Sequence, residues 1–355
     1  MTTAQSSGWR PSRGAHPAQP KEVAELLDRV ATEGTPVRHL ERRGAPRLTW
    51  KAKDLSGALA ADAASDLRSL ELWSNGFDVA AYRALAEVSL DSLESLDVRF
   101  ATNIDGEGLR ALGAGEWPNL RHLALGSVEA TLEDLLELLD ALPALTSLAM
   151  VEWSAARESL GDFFADPRFA RIRSFVPSTR VVVADGECLV RLAEAPELAL
   201  EELALPAGSA AGPGLGVFLR SDAAKRLRRL QNFAIVPASS EVVPADCPFP
   251  DLVHLELHVA GKSLDPDLLS AVLPSTLASL KLTDANLPQT AFAHAMRICA
   301  SPQRLELTGS LSAPTVLDPL EGATSLRDLR LRPVLEAAAL ARAHAFAAMV
   351  QAALA

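Results

Sequence analysis

Cysteine is scarce. Cys188, Cys247 and Cys299 are the only three in 355 residues, far apart and odd in number. They supply no disulfide framework and no Cys-x-x-Cys metal pair, so a reducing compartment is expected. Aromatics make up 5% of the chain, with Tyr82 its single tyrosine. A core must therefore be assembled mainly from Leu, Val and Ala. No run of about 18 apolar residues occurs, so no membrane-spanning helix is expected. Residues 1–20 hold Pro11, Pro17 and Pro20 and no apolar stretch, so no signal peptide is expected either. The formal net charge of -11 argues against sequence-independent nucleic-acid binding. Phosphate-loop, dinucleotide, GxSxG and HExxH patterns are all missing. The glycines of Gly212–Gly216 lack the Lys and Ser or Thr that a phosphate loop needs.

The charge that is present is uneven. Residues 1–53 carry ten Lys or Arg against five acids, a net of +5, which leaves -16 for the remainder. Residues 1–19 are rich in Ser, Pro, Gly and Arg and are expected to be a disordered arm. Within residues 20–66, Pro20, Val23, Leu26, Leu27, Val30 and Gly34 outline a capping helix, and irregular strands come after it. Arg outnumbers Lys and Ala is abundant, a composition expected of a GC-rich bacterial genome.

From residue 67 the chain repeats. Asp66–Asn75 reads Leu67-x-x-Leu70-x-Leu72-x-x-Asn75, and related cassettes begin at Leu93, Leu120, Leu145, Ile172, Leu200, Leu230, Leu252, Leu277, Pro302 and Leu326. The mean step is near 26 residues, with outlying steps of 30 and 22 on either side of Leu230. Each unit offers three apolar residues that it cannot bury alone, so neighbours must stack. Between cassettes lie helical segments such as Val79–Val88, Glu107–Leu112, Leu132–Leu142, Cys188–Ala195 and Gly216–Lys225. Leu264–Val272 and Thr290–Cys299 fill the same slot, and Thr131 is a good N-cap with Asp134 three residues on.

This pattern resembles the leucine-rich repeat superfamily over roughly residues 60–333, and the helical backs resemble its ribonuclease-inhibitor-like subclass. The resemblance implies an α/β horseshoe solenoid, with a parallel sheet on the concave face and helices on the convex face. About eleven repeats span 67–333, and residues 334–355 are expected to form a C-terminal capping helix, completing helical caps at both ends. One family feature is weak. The Asn that bonds neighbouring turns in a ladder is clear only as Asn75, with Trp153 or Val128 among its replacements. Those turns must find other hydrogen-bond partners.

Chemistry is sparse. His254-x-Glu256-x-His258 puts three polar side chains on one face of a strand, a weak candidate for a divalent metal site. Cys188 and Cys299 fall among apolar neighbours, and Cys247 has no His nearby in sequence to activate it. No catalytic residue and no cofactor is expected.

Cassette positions 3, 5 and 7 should face the inside of the curve. Position 5 runs Glu71, Asp97, Ala124, Ala149, Val176, Ala204, Ala234, Glu256, Lys281, Glu306, Arg330. Position 7 begins Trp73, Arg99, Gly126, Val151 and continues through Val236 and His258. Five consecutive repeats are thus small and apolar between charged rims, a composition that marks an interaction surface. The expected contact residues are Trp73, Arg99, Ala124, Ala149, Val151, Trp153, Val176, Ala204, Ala234, Val236 and His258, with Trp73 and Trp153 as anchors. The expected function is a non-catalytic, cytoplasmic module that binds a protein or peptide, with no nucleic acid or membrane partner and an oligomeric state that the sequence leaves open. The alternative is a regulatory or substrate-recognition subunit of a separately encoded enzyme.

Overall fold

A computed structural model of the chain describes residues 39–42, 59, 65–72, 77–99, 103–177, 186–195, 197–205, 213–234, 246–258, 272–283, 303–310 and 326–334. The expected arm (1–19), the expected N-terminal and C-terminal capping helices and the expected backs at 264–271 and 290–299 lie outside these residues. So do Trp73, Asn75 and Val236. The chain forms two compact units, residues 1–155 with 167–178, and residues 156–166 with 179–355.

The first unit alternates strands and helices. Its strands are β1 (His39–Arg42), β2 (Ser69–Leu72), β3 (Ser95–Val98), β4 (Ile104–Asp105), β5 (His122–Glu129), β6 (Ser147–Trp153) and β7 (Ser174–Pro177). All pair in parallel, and Leu40, Leu70, Leu96, Leu123, Leu148 and Phe175 fall on one line of register. Cassette positions 1, 4 and 6 are fully buried, as in Leu93, Leu96 and Val98. Parallel neighbours need a crossover, and helices α1 (Val79–Ala86), α2 (Gly106–Gly113) and α3 (Leu132–Ala141) supply it. Each begins at a cap. Asp78 accepts from the N–H of Ala81 at 2.8 Å and Asp105 from Gly108 at 2.8 Å. Thr131 and Asp134 form a reciprocal capping box. Successive helices are tied by exposed ion pairs, Arg83 to Glu107 and Arg110 to Asp134.

The second unit opens with α4 (Ala156–Ala165) and α5 (Gly186–Glu194). It continues with β8 (Glu202–Ala204), α6 (Pro213–Leu219) and α7 (Asp222–Arg226). Strands β9 (Arg229–Ala234), β10 (His254–His258), β11 (Ser279–Thr283), β12 (Arg304–Ser310) and β13 (Asp328–Val334) complete it. Leu203, Leu230, Leu255, Leu280, Leu305 and Leu329 form its register line. The back expected over Gly216–Lys225 is two short helices, because Ser221 caps the second by accepting from Ala224 N–H at 3.2 Å. A Cβ on Gly214 would lie 1.8 Å from the carbonyl oxygen of Gly186. Gly214 therefore lets α6 approach the start of α5, and Pro213 is the first helical residue.

One cassette is in a different frame from the one its spacing suggested. Leu230 pairs with Leu203 and Leu255, both position-4 residues, so position 1 is Leu227, which is fully buried. The steps of 30 and 22 become 27 and 25. Between Leu230 and Phe233 the strand carries one extra residue relative to β10, a β-bulge. Asn232 sits in it at φ 54, the one positive-φ residue other than glycine among those described.

The turns solve their hydrogen bonding in three ways. The carbonyl at cassette position 2 accepts from both the second and the third N–H of the next repeat. Thus Arg68 serves Glu94 and Ser95, Glu94 serves Arg121 and His122, and Arg228 serves Val253 and His254, all at 2.8–3.1 Å. The residue just before position 1 adds a side-chain donor to the preceding repeat. Asn119 reaches the carbonyl of Asp91 (2.7 Å), Arg171 that of Leu142 (3.2 Å), Arg226 that of Leu198 (2.7 Å) and Thr276 that of Pro250 (3.0 Å). Thirdly, the position-1 N–H bonds the carbonyl three residues back, as Leu93 does to Leu90 and Leu252 to Phe249. The residue there is buried in each case, among them Leu90, Trp117, Leu142, Phe169, Ala224 and Phe249, and adds a fourth core position per repeat.

Candidate functional site

Because Leu side chains at positions 4 and 6 fill the core, positions 3 and 5 stand on the opposite, open face of each sheet. In the first unit that face begins acidic. Glu41, Glu71 and Asp97 are register partners, and like charges opposite one another repel. Arg99 answers them. It grips Asp97 with Nε at 3.0 Å and Nη2 at 2.6 Å from Oδ2. Those hydrogen bonds, with attraction from Asp97 and Glu71, raise the guanidinium's already high pKa.

Beyond Asp97 the position-5 line is Ala124, Ala149 and Val176, consecutive register partners and all half-buried. Ser147 and Ser174 pair beside them at position 3. No large side chain stands at positions 3 or 5 of β6 and β7, so the backbone lies close to the open surface there. Val151 is half-exposed at the end of the same face.

Trp153 is not an anchor on this surface. It is 2% exposed, and its indole N–H donates to the carbonyl of Ala130 at 3.0 Å. Strands β5 and β6 run past the cassette, and Val128 pairs with Trp153 after the core-facing parity has changed. Trp153 occupies the place of the missing ladder asparagine and makes the kind of bond to a neighbouring turn that the asparagine would make.

The open face of the second unit is different. Ala204 is fully buried, as are Leu203 and Leu205 on either side, so it cannot meet a partner. The frame of β9 moves Ala234 from position 5 to a register partner of His258, and its former place belongs to Gln231, which pairs with Ala204. The apolar line therefore does not extend into β9. From β8 onward the face is polar and internally matched. Glu202 accepts from Gln231 Nε2 at 2.9 Å and lies 3.9 Å from Arg229. Glu256 pairs with Lys281 at 2.6 Å, and Arg304 with Asp328 at 2.9 Å.

The His254, Glu256 and His258 set is divided among other duties. His254 Nδ1 lies 2.9 Å from Ser279 Oγ, and the Glu256 carboxylate is neutralised by Lys281. Burial holds the His254 pKa below its ordinary value, and Arg229 and Arg304 add to that effect while Glu256 opposes it. Of His258 the backbone alone is described. Among the described residues no three His, Cys, Asp or Glu side chains converge on one point. Cys188 is buried, and burial pushes the Cys247 thiol up, away from the thiolate that a nucleophile requires.

Gln231 and Asn232 escape the sequence frame. The signal that would have found them is Ala224-x-x-Leu227, which matches Leu90-x-x-Leu93 and Phe249-x-x-Leu252 and sets the true phase.

No family model matches the chain, and no curated protein sequence matches it. Solved structures do. A chain from the crystal structure of the Rad7 and Elc1 complex in yeast is 14% identical, with a TM-score of 0.50. That match covers 88% of this chain and 77% of the other. Internalin C2 from Listeria monocytogenes is also 14% identical, with coverages of 79% and 83% and a TM-score of 0.29. At such identities the first likeness speaks to fold alone. It accords with the cassette register, and the architecture is that of a leucine-rich repeat solenoid. Among the described residues no helix is long and apolar enough to cross a membrane.

Proposed function

We infer that this chain is a non-catalytic module that binds a protein or peptide on the open face of its sheet, centred on Ala124, Ala149 and Val176. The observation that carries this reading is their juxtaposition. Three small, half-buried residues stand in register on a sheet face whose opposite side is filled with leucine. A low, unbroken surface of this kind lets a partner approach the backbone closely, and the rim formed by Asp97 and Arg99 gives it an orientation. Arg99 and Val151 remain contact residues in this proposal, whereas Trp153 and Ala204 leave it because they are buried. Trp73 stays as a proposed contact from its cassette position alone, whereas Val236 leaves the proposal because Ala234, not Val236, is the register partner of His258.

The similar fold found in a solved two-protein complex supports a protein partner over a small substrate. Helical backs of 8 to 10 residues in α1, α2 and α3 favour the ribonuclease-inhibitor-like subclass. Composition favours a bacterial, cytoplasmic setting, and the acidic net charge a partner other than nucleic acid. The test is capture of a partner by the wild-type chain and its loss when Ala149 and Val176 become Asp. An unchanged capture profile would remove this face from the account.

A further inference from the structure

The open face of the second unit carries one feature that packing does not require. In β9 two residues, Gln231 and Asn232, stand opposite the single residue Glu256. Leu230 and Phe233 on either side are fully buried, while Gln231 and Asn232 are both half-exposed. Both side chains therefore emerge on the open face. Asn232 holds the left-handed backbone conformation that residues with a side chain rarely adopt, and Asn is among the few that tolerate it. Strain of this sort persists where the surroundings impose it, and bulges commonly re-aim a side chain at a binding site. The Asn232 carboxamide takes none of the hydrogen bonds formed among the described residues. Gln231 gives its amide to Glu202 and keeps its own carbonyl oxygen free to accept.

The charges around the bulge are matched already, Glu202 with Arg229 and Glu256 with Lys281. A phosphate or a strongly charged segment would gain little there. A carboxamide offers one acceptor and two donors, the complement of a peptide unit. The geometry points to Asn232 as a specificity-determining contact that hydrogen-bonds the main chain of an uncharged, extended segment of the protein partner. This rests on the reading that the open sheet face carries the partner.

The test uses the full chain and a phage-displayed library of random linear peptides, with selected peptides resynthesised for calorimetry. Asn232→Gly keeps the backbone conformation without a carboxamide, and Asn232→Asp keeps the shape without the donors. Both should leave the melting temperature unchanged and weaken the selected peptides by about tenfold, the worth of one or two hydrogen bonds. Peptides that bind both variants like wild type overturn the inference. The open-face reading is checked apart from the peptides, by partner capture with Ala149→Asp and Val176→Asp, and survives if that capture is lost. A selection that yields no binder at all overturns the inference as well.

Discussion

The carboxylate of Asp134 lies where a side chain on Gly106 would be, for a Cβ built there falls 2.5 Å from both carboxylate oxygens. The two residues begin successive helices, Gly106 the first turn of α2 and Asp134 that of α3. Asp134 cannot step aside cheaply. It accepts from Thr131 N–H at 3.0 Å and Thr131 Oγ1 at 2.7 Å, and pairs with Arg110 at 2.5 Å. Gly106→Ala should therefore destabilise the protein by about 1–3 kcal/mol, although alanine is the better helix former. Chemical denaturation of both single variants and the double variant checks this. The double variant with Asp134→Ala should cost less than the sum of the two.

Asp134 also predicts a pH dependence. Hydrogen bonding to Thr131, with help from Arg110, holds its carboxyl below the usual carboxylate range. A pKa depressed in the folded state adds stability that is complete above the unfolded value, about 4. That stability is lost as pH falls through the folded value. Comparing wild type with Asp134→Asn by thermal melts between about pH 7 and 2.5 should show a gap that closes only at the acid end. A gap of constant size throughout would argue against it.

The frame of β9 makes a separate prediction. With Leu227 at position 1 and Leu230 at position 4, both buried, replacing either by Ala should cost about 2–5 kcal/mol. A cassette beginning at Leu230 would still bury Leu227, three residues before position 1, but would leave Ala224 outside that place, whereas the Leu227 frame puts Ala224 in it, fully buried. Ala224→Asp should therefore be as costly as the two Leu variants, and urea titrations of all three check the frame.

For Trp153 the expectation is structural. Trp153→Phe keeps most of the ring but leaves the Ala130 carbonyl without its donor. It should cost about 1–3 kcal/mol in thermal unfolding and leave partner capture intact. An exposed anchor would behave in the opposite way, with a normal melt and lost capture.

Most of the architecture could be read from the leucines, because no single repeat buries its own and their spacing must be kept for neighbours to stack. Leu70, Leu96, Leu123 and Leu148 are in the predicted register without exception. The helix starts were legible too, since Thr131 and Asp134 make a cap from local chemistry alone. The misread cassette has a specific cause. Leu230, Phe233 and Ile235 mimic the 1-4-6 pattern, and the extra residue at Asn232 hides the true one. Trp153 was misplaced because strand parity changes where β6 runs beyond the cassette. The side-chain ladder of Asn119, Arg171, Arg226 and Thr276 was invisible because four side chains of differing chemistry do one job at one position.

Affinity capture with mass spectrometry is the measurement that bears on the face formed by Ala124, Ala149 and Val176. The wild-type chain and the double variant Ala149→Asp with Val176→Asp would be compared side by side, each with its melting curve. The proteins enriched by wild type should disappear from the variant while the melting temperature stays near that of wild type. Equal enrichment by a folded variant would contradict it.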